Sequence, residues 1–222
     1  MCILAAICLA QVAASFYLFQ RSEIIWRQDT GGVMSCSVDF YEFFRHGQYL
    51  TAVDSLVMFR FYRHPLLFSF LQGLFLFLSN KVHPISLSTA VLLTNAIFSL
   101  ALLISIYAIG KILYNNKAGL YAGLLFSFSP LVFGTTRIPM LELPLAAMVT
   151  LGFLCLLKTE HFRSFPASLL AGIFFALAQM TKETAFLFIV PPLAYYTAVS
   201  AAKVETRARR CLQAILTWLL FL

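Results

Sequence analysis

Along the chain, long uncharged runs alternate with brief charged breaks. Residues 1–20, 64–80, 82–110, 118–136, 143–157, 164–181, 184–202 and 211–222 contain no Asp, Glu, Lys or Arg. Several approach the roughly 20 residues that a bilayer-spanning helix needs. Inside lipid the backbone has no water to bond, so a chain can cross only as helices or as a closed barrel. Barrel strands would alternate apolar and polar positions over segments of about ten residues, and no run here does so. The pattern predicts an all-α fold, a polytopic transmembrane helix bundle.

Composition strengthens this reading. Of the 222 residues, 61% are hydrophobic, only 11% are charged and 23 are phenylalanine, well outside the range of a water-soluble domain. The net charge of +7 invites a nucleic-acid partner, but the basic residues sit largely in short loops between apolar runs, where membrane topology accounts for them. No nucleic-acid partner is expected. Four of the five cysteines, Cys2, Cys8, Cys155 and Cys211, lie in apolar segments and read as small buried hydrophobes; Cys36 alone falls in a polar region. Neither C-x-x-C nor Cys/His ligand spacing occurs, so neither a metal nor a cofactor is expected. The first twenty residues lack the positive start of a signal peptide and read as a membrane helix. The final run, "CLQAILTWLLFL", is too short to span, which makes residues 1–222 one membrane-embedded module and the N-terminal part of something longer.

Orientation follows from charge. Treating "HPLLFSFLQGLFLFLSN" (64–80) as a short helix that returns to its own side leaves spans at about 1–20, 86–110, 118–136, 141–157, 165–181, 184–201 and from 211. One side then receives Lys111, Lys117, Lys158, Arg163, Lys203, Arg207, Arg209 and Arg210, which the positive-inside rule makes cytoplasmic. The other side receives the long loop 21–85, the "RIPMLE" turn and the "TKET" turn, with seven of the nine acids. Within the long extracytoplasmic loop, "VDFYEFFRHG" sets Val38, Tyr41 and Phe44 on one side and stops at Gly47, the pattern of a short amphipathic surface helix.

Three charged points share that outer face: Asp29, Arg137 with Glu142, and Lys182 with Glu183. Ionisable groups at helix mouths are costly unless paired or facing a wet cavity, so they mark a candidate site. Carboxylates beside cations suit a reaction that deprotonates a hydroxyl while an anionic group departs. Each residue also fits a plainer role. Asp29 in "WRQDTGG" suits a turn or a helix cap, and Glu142 before Leu143-Pro144 suits the first turn of a helix. Lys182 and Glu183 suit ordinary interfacial charges. His64 before Pro65 suits a helix start or a phosphate contact, without a second histidine at ligand spacing. Asp39, Glu42 and Asp54 read as a solvated face.

An acid soon after the first helix, "HPLL" late in the outer loop, "NNKAGLYAGLLFSFSPLVFGTTRIPMLELPLAAMVTL" and "SLLAGIFFALAQMTKETAFLFIVPPLAYY" together resemble the GT-C superfamily of membrane glycosyltransferases. The likeness is to the branch holding the dolichyl-phosphate-mannose protein mannosyltransferases and the bacterial lipid A aminoarabinose transferases. It implies transfer of a sugar from a polyprenyl-phosphate carrier, usually with inversion, to a lipid, glycan or protein acceptor at the extracytoplasmic face. The resemblance puts the catalytic acids on Asp29 and Glu142, and His64 and the Lys182–Glu183 turn near the sugar donor's phosphate; from the charge pattern Arg137 is expected to help offset that phosphate's charge. It also implies a plasma- or inner-membrane enzyme about twice this length.

Two other classes fit a greasy chain with charges at helix mouths. A transporter or lipid flippase would carry polar or Gly/Pro-broken segments at mid-membrane, whereas most spans here are apolar through their centres. A non-catalytic membrane scaffold would tolerate neutralisation of Asp29 and Glu142.

Overall fold

The computed structural model describes residues 28–58, 66–136, 138–202 and 207–221, with isolated positions before residue 18. Among them there is no strand, and the molecule is an all-α membrane helix bundle. The elements are α1 (Gln28–Arg45), α2 (Tyr49–Met58), α3 (Leu67–Val82), α4 (Leu87–Leu113), α5 (Asn116–Ser127), α6 (Pro130–Thr135), α7 (Glu142–Lys158), α8 (Phe165–Gln179), α9 (Ala185–Ala202) and α10 (Arg207–Phe221). Two of them, α4 and α9, are long and apolar enough to cross a membrane; α3 and α8 are shorter apolar helices.

Local chemistry sets the helix ends. Ser86 caps α4 by accepting the Thr89 N–H, and Asn115 caps α5 by accepting the Ala118 N–H at 2.9 Å. Serine and threonine hydroxyls inside the helices bond the carbonyl one turn back, as Thr94 does to Ala90 and Ser105 to Ala101, so they enter an apolar bundle without orphaned groups.

Two expectations change. The run 118–136 is not one helix: α5 stops at Ser127 and α6 restarts at Pro130, with Ser129 extended between them (φ −67°, ψ 122°). Proline disfavours helical geometry in the residue before it, so an uncharged run was broken by sterics that its polarity does not reveal. In the surface helix, Val38 is exposed, and the buried residues are Met34, Cys36, Ser37, Phe40 and Phe44. That helix begins ten residues earlier than "VDFYEFFRHG" suggests and ends before Gly47, which turns the chain at φ +70°.

α1 packs on α3 through aromatic edges, with Phe40 and Phe44 each meeting Phe70 at a ring separation of 5.4 Å. Buried Gln72 of α3 accepts the Ser37 hydroxyl of α1 at 2.8 Å. Antiparallel α4 and α5 touch backbone to backbone. A Cβ on Gly110 would lie 2.8 Å from the Gly119 Cα, and one on Gly119 would strike the Tyr107 carbonyl. Small residues permit this approach where lipid supplies no hydrophobic drive between helices.

The helices α7, α8 and α9 enclose a second core around Phe175, Val149, Ile189 and Leu193. The α7–α8 turn is left-handed at three non-glycine residues, Glu160, His161 and Phe162 (φ 50°, 63° and 59°). Such geometry costs roughly 1–2 kcal/mol per residue and is opposed by bonds to α9. The Tyr196 hydroxyl accepts the His161 N–H at 2.9 Å, and the His161 ring stacks on Tyr196. The far end of α10 closes this side, with Thr217 donating to the Ser168 carbonyl and Trp218 to Thr197.

Replacing Gly119 by leucine should force α4 and α5 apart and destabilise the bundle by about 1–3 kcal/mol. Thermal unfolding in detergent checks this, and an unchanged midpoint would refute the close crossing.

Candidate functional site

Helix ends meet at one end of the bundle. The short α7–α8 turn makes those helices antiparallel, so the start of α7 lies beside the end of α8. There the Lys182 ammonium donates to Glu142 Oε1 at 2.7 Å, across forty residues of sequence. The other ion-pair contacts among the described residues, Arg45 and His46 with Glu42, lie within one helical turn. The Glu142 and Lys182 side chains are 50% and 30% exposed, so the pair faces an opening and is not sealed in the core.

Each partner is held by its local fold. Glu142 opens α7, where unpaired N–H groups favour a carboxylate, and Pro144 in the same first turn lacks an N–H that would otherwise go unbonded. Lys182 sits on a tight turn in which its N–H donates to the Ala178 carbonyl and its own carbonyl accepts the Ala185 N–H. Glu183, next along, is exposed.

A cleft of about 630 Å³ runs from this pair between α7 and α9. Leu145, Val149 and Phe153 line it from α7, Leu187 and Phe188 from α9, with the hydroxyl-bearing Thr150 and Thr184 beside them. The α7 residues recur at helical spacing, so the groove follows one face for about 16 Å. Its size suits a ligand, and its walls are apolar beyond the charged mouth. The cleft stays open because α9 is seated through a narrow seam, Ala185, Ile189 and Leu193, which leaves Phe186, Leu187 and Phe188 about half exposed or more.

The remaining sequence-derived residues stand as follows. Asp29 is the second residue of α1, and its side chain lies outside the described set. One turn on, Val33 packs against the apolar cluster that also holds Phe68 of α3, Phe98 of α4 and Leu143 of α7. His64 and Arg137 lie outside the described residues. Their neighbours are held: the Leu67 N–H donates to the Met180 carbonyl at 3.2 Å, tying the start of α3 to the Lys182 turn. Among the described residues no three His, Cys, Asp or Glu side chains are grouped to hold a metal ion.

Sequence reasoning passed over Asn95. It is fully buried in α4 and donates both amide protons, to the carbonyls of Thr136 at 3.1 Å and Ile138 at 3.0 Å. Its signal was present: an amide in the apolar stretch "VLLTNAIFSL" needs partners on another helix or turn.

No curated protein and no solved structure matches the chain. A family model described as dolichyl-phosphate-mannose-protein mannosyltransferase matches residues 63–222. The matched stretch takes in every helix from α3 onward and the whole Glu142–Lys182 cleft; Asp29 precedes it. With well over half of the sequence matched, the chain belongs to the dolichyl-phosphate-mannose-protein mannosyltransferase family, and it is a membrane protein of glycosyltransferase type.

Proposed function

We propose that the protein transfers a sugar from a polyprenyl-phosphate carrier to an acceptor hydroxyl at the extracytoplasmic membrane face. The observation that carries this reading is the Glu142–Lys182 pair at the mouth of an apolar cleft. A lipid-linked sugar has the same division, an apolar tail joined to a charged phosphate. In this reading the isoprenoid tail occupies the groove between α7 and α9, and the phosphate competes with Glu142 for the Lys182 ammonium. Arg137 and His64 add positive charge or hydrogen bonds on the phosphate side, and Glu183 contributes to the rim.

The chemistry is a single displacement at the anomeric carbon. The acceptor oxygen bonds to that carbon as its bond to the carrier's phosphate oxygen breaks. The electron pair leaves on the phosphate, where Lys182 offsets it, and the hydroxyl proton passes to a carboxylate. Asp29 takes the proton in this scheme, and Glu142 balances the charge of the cationic rim. Attack opposite the leaving group inverts the anomeric configuration. The crowding of charge at one end of the bundle favours chemistry at an interface over a transport path, which would carry polar groups at mid-membrane.

Radiolabelled sugar transfer from a panel of polyprenyl-phosphate sugars, in membranes containing the full-length gene product, tests the reading. Asp29→Asn and Glu142→Gln should each lower transfer by about 10²- to 10⁴-fold at matched expression; equal transfer by all three proteins would remove both carboxylates from the mechanism.

A second prediction addresses the tail. Ala146 of α7 also lines the groove, so Ala146→Trp should partly fill it and raise the KM for long-chain carriers by about tenfold or more, since a few lost methylene contacts at about 0.8 kcal/mol each suffice. A short-chain carrier should be little affected. Equal KM changes for both lengths would place the tail elsewhere.

A further inference from the structure

Asn95 of α4 reaches across to the turn between α6 and α7. Measured along α4, Asn95 lies about 12 Å below Leu87, and it bonds the carbonyls on either side of Arg137.

No helix ladder satisfies the carbonyls of this turn: the Ile138 oxygen accepts the Met140 N–H at 2.8 Å, and Asn95 brings a side-chain donor to it and to the Thr136 oxygen. Asn95 commits both N–H groups to Thr136 and Ile138, which fixes the orientation of its amide, since the oxygen could not donate to either carbonyl. Its Oδ1 is buried with no hydrogen-bond partner among the described residues. An amide with a stranded acceptor is a poor choice for packing alone, because an unbonded buried oxygen is unfavourable. The residue makes physical sense as a clamp on the turn.

We propose that Asn95 is a positioning residue: by pinning the Thr136 and Ile138 carbonyls it holds the turn between α6 and α7, and through it the first turn of α7 with Glu142, in the position where the carboxylate meets Lys182. It touches neither sugar donor nor acceptor. Its catalytic consequence rests on the glycosyltransferase reading, whereas the clamp itself does not.

The test uses the full-length protein in nanodiscs. Asn95→Leu keeps the shape and removes both donors; Asn95→Gln keeps two donors on a longer arm. Backbone hydrogen exchange across 136–142 should be faster in Asn95→Leu and closer to wild type in Asn95→Gln. With folded protein matched by size exclusion, the kcat of Asn95→Leu should fall about 10- to 100-fold, as expected for displacement of a reacting group by an ångström or so. The KM for the polyprenyl-phosphate sugar should change less than about threefold, and Asn95→Gln should recover part of the loss. Unchanged exchange in Asn95→Leu overturns the clamp; faster exchange with unchanged kcat overturns the positioning role. Should Asn95→Leu fail to fold, Asn95→Asp, of the same shape with at most one donor, is held to the same criteria. A wild type that transfers from none of the sugar donors defeats the reaction assignment, while the exchange measurement still decides the clamp.

Discussion

An apolar bundle can hold a charged opening only if the backbone that turns there finds hydrogen-bond partners inside the protein. That constraint governs this molecule. At the end that carries the Glu142–Lys182 pair, three segments reverse or begin without the shelter of a continuous helix: the entry to α3, the turn between α6 and α7, and the turn between α8 and α9. Each finds hydrogen-bond partners within the protein. Leu67 donates to Met180, Asn95 donates to Thr136 and Ile138, and the Lys182 turn closes on Ala178. With the backbone satisfied, the side chains are released for chemistry.

The Glu142–Lys182 pair shows the result. On a water-exposed surface such a pair contributes about 0–1 kcal/mol and would carry little meaning. Here it joins the ends of two antiparallel helices and sits at the head of an apolar groove. A carboxylate at a helix start is already favoured by the local N–H groups, so Lys182 is not its sole support. In the proposed reaction that leaves the ammonium to be shared with the carrier's phosphate.

The opposite end of the α7–α9 unit is built differently. Three left-handed residues, a stacked His161–Tyr196 pair and the Thr217 and Trp218 contacts lock α7, α8, α9 and α10 together. Pro191 and Pro192 then interrupt the hydrogen-bond ladder of α9 partway along. Beyond them only the narrow seam of Ala185 and Ile189 seats the helix, and there the cleft opens. Firm packing at one end and sparse packing at the other place the ligand-sized space beside the charges.

Much of this architecture was legible from composition and pattern. Long uncharged runs dictate helices in an apolar bundle, and Glu142, Lys182 and Asp29 stand out because charge is rare here. Two local errors had local causes: Pro130 splits a run that looks uniform by polarity, and Val38 was read on the buried face because two neighbouring registers of α1 are both apolar. The sequence could not show that Lys182 would reach Glu142 across forty positions, since pairing between helix ends depends on crossing geometry set by contacts such as Phe175 against Gly152. Nor did it disclose the partners of Asn95, which are backbone carbonyls of a distant turn that no residue type announces. Polarity along the chain determined which segments become helices and which residues are costly to hide. Tertiary structure decided which of those costly residues meet, because hydrogen bonds and ion pairs act over about 3 Å and only the packed bundle sets distances that short.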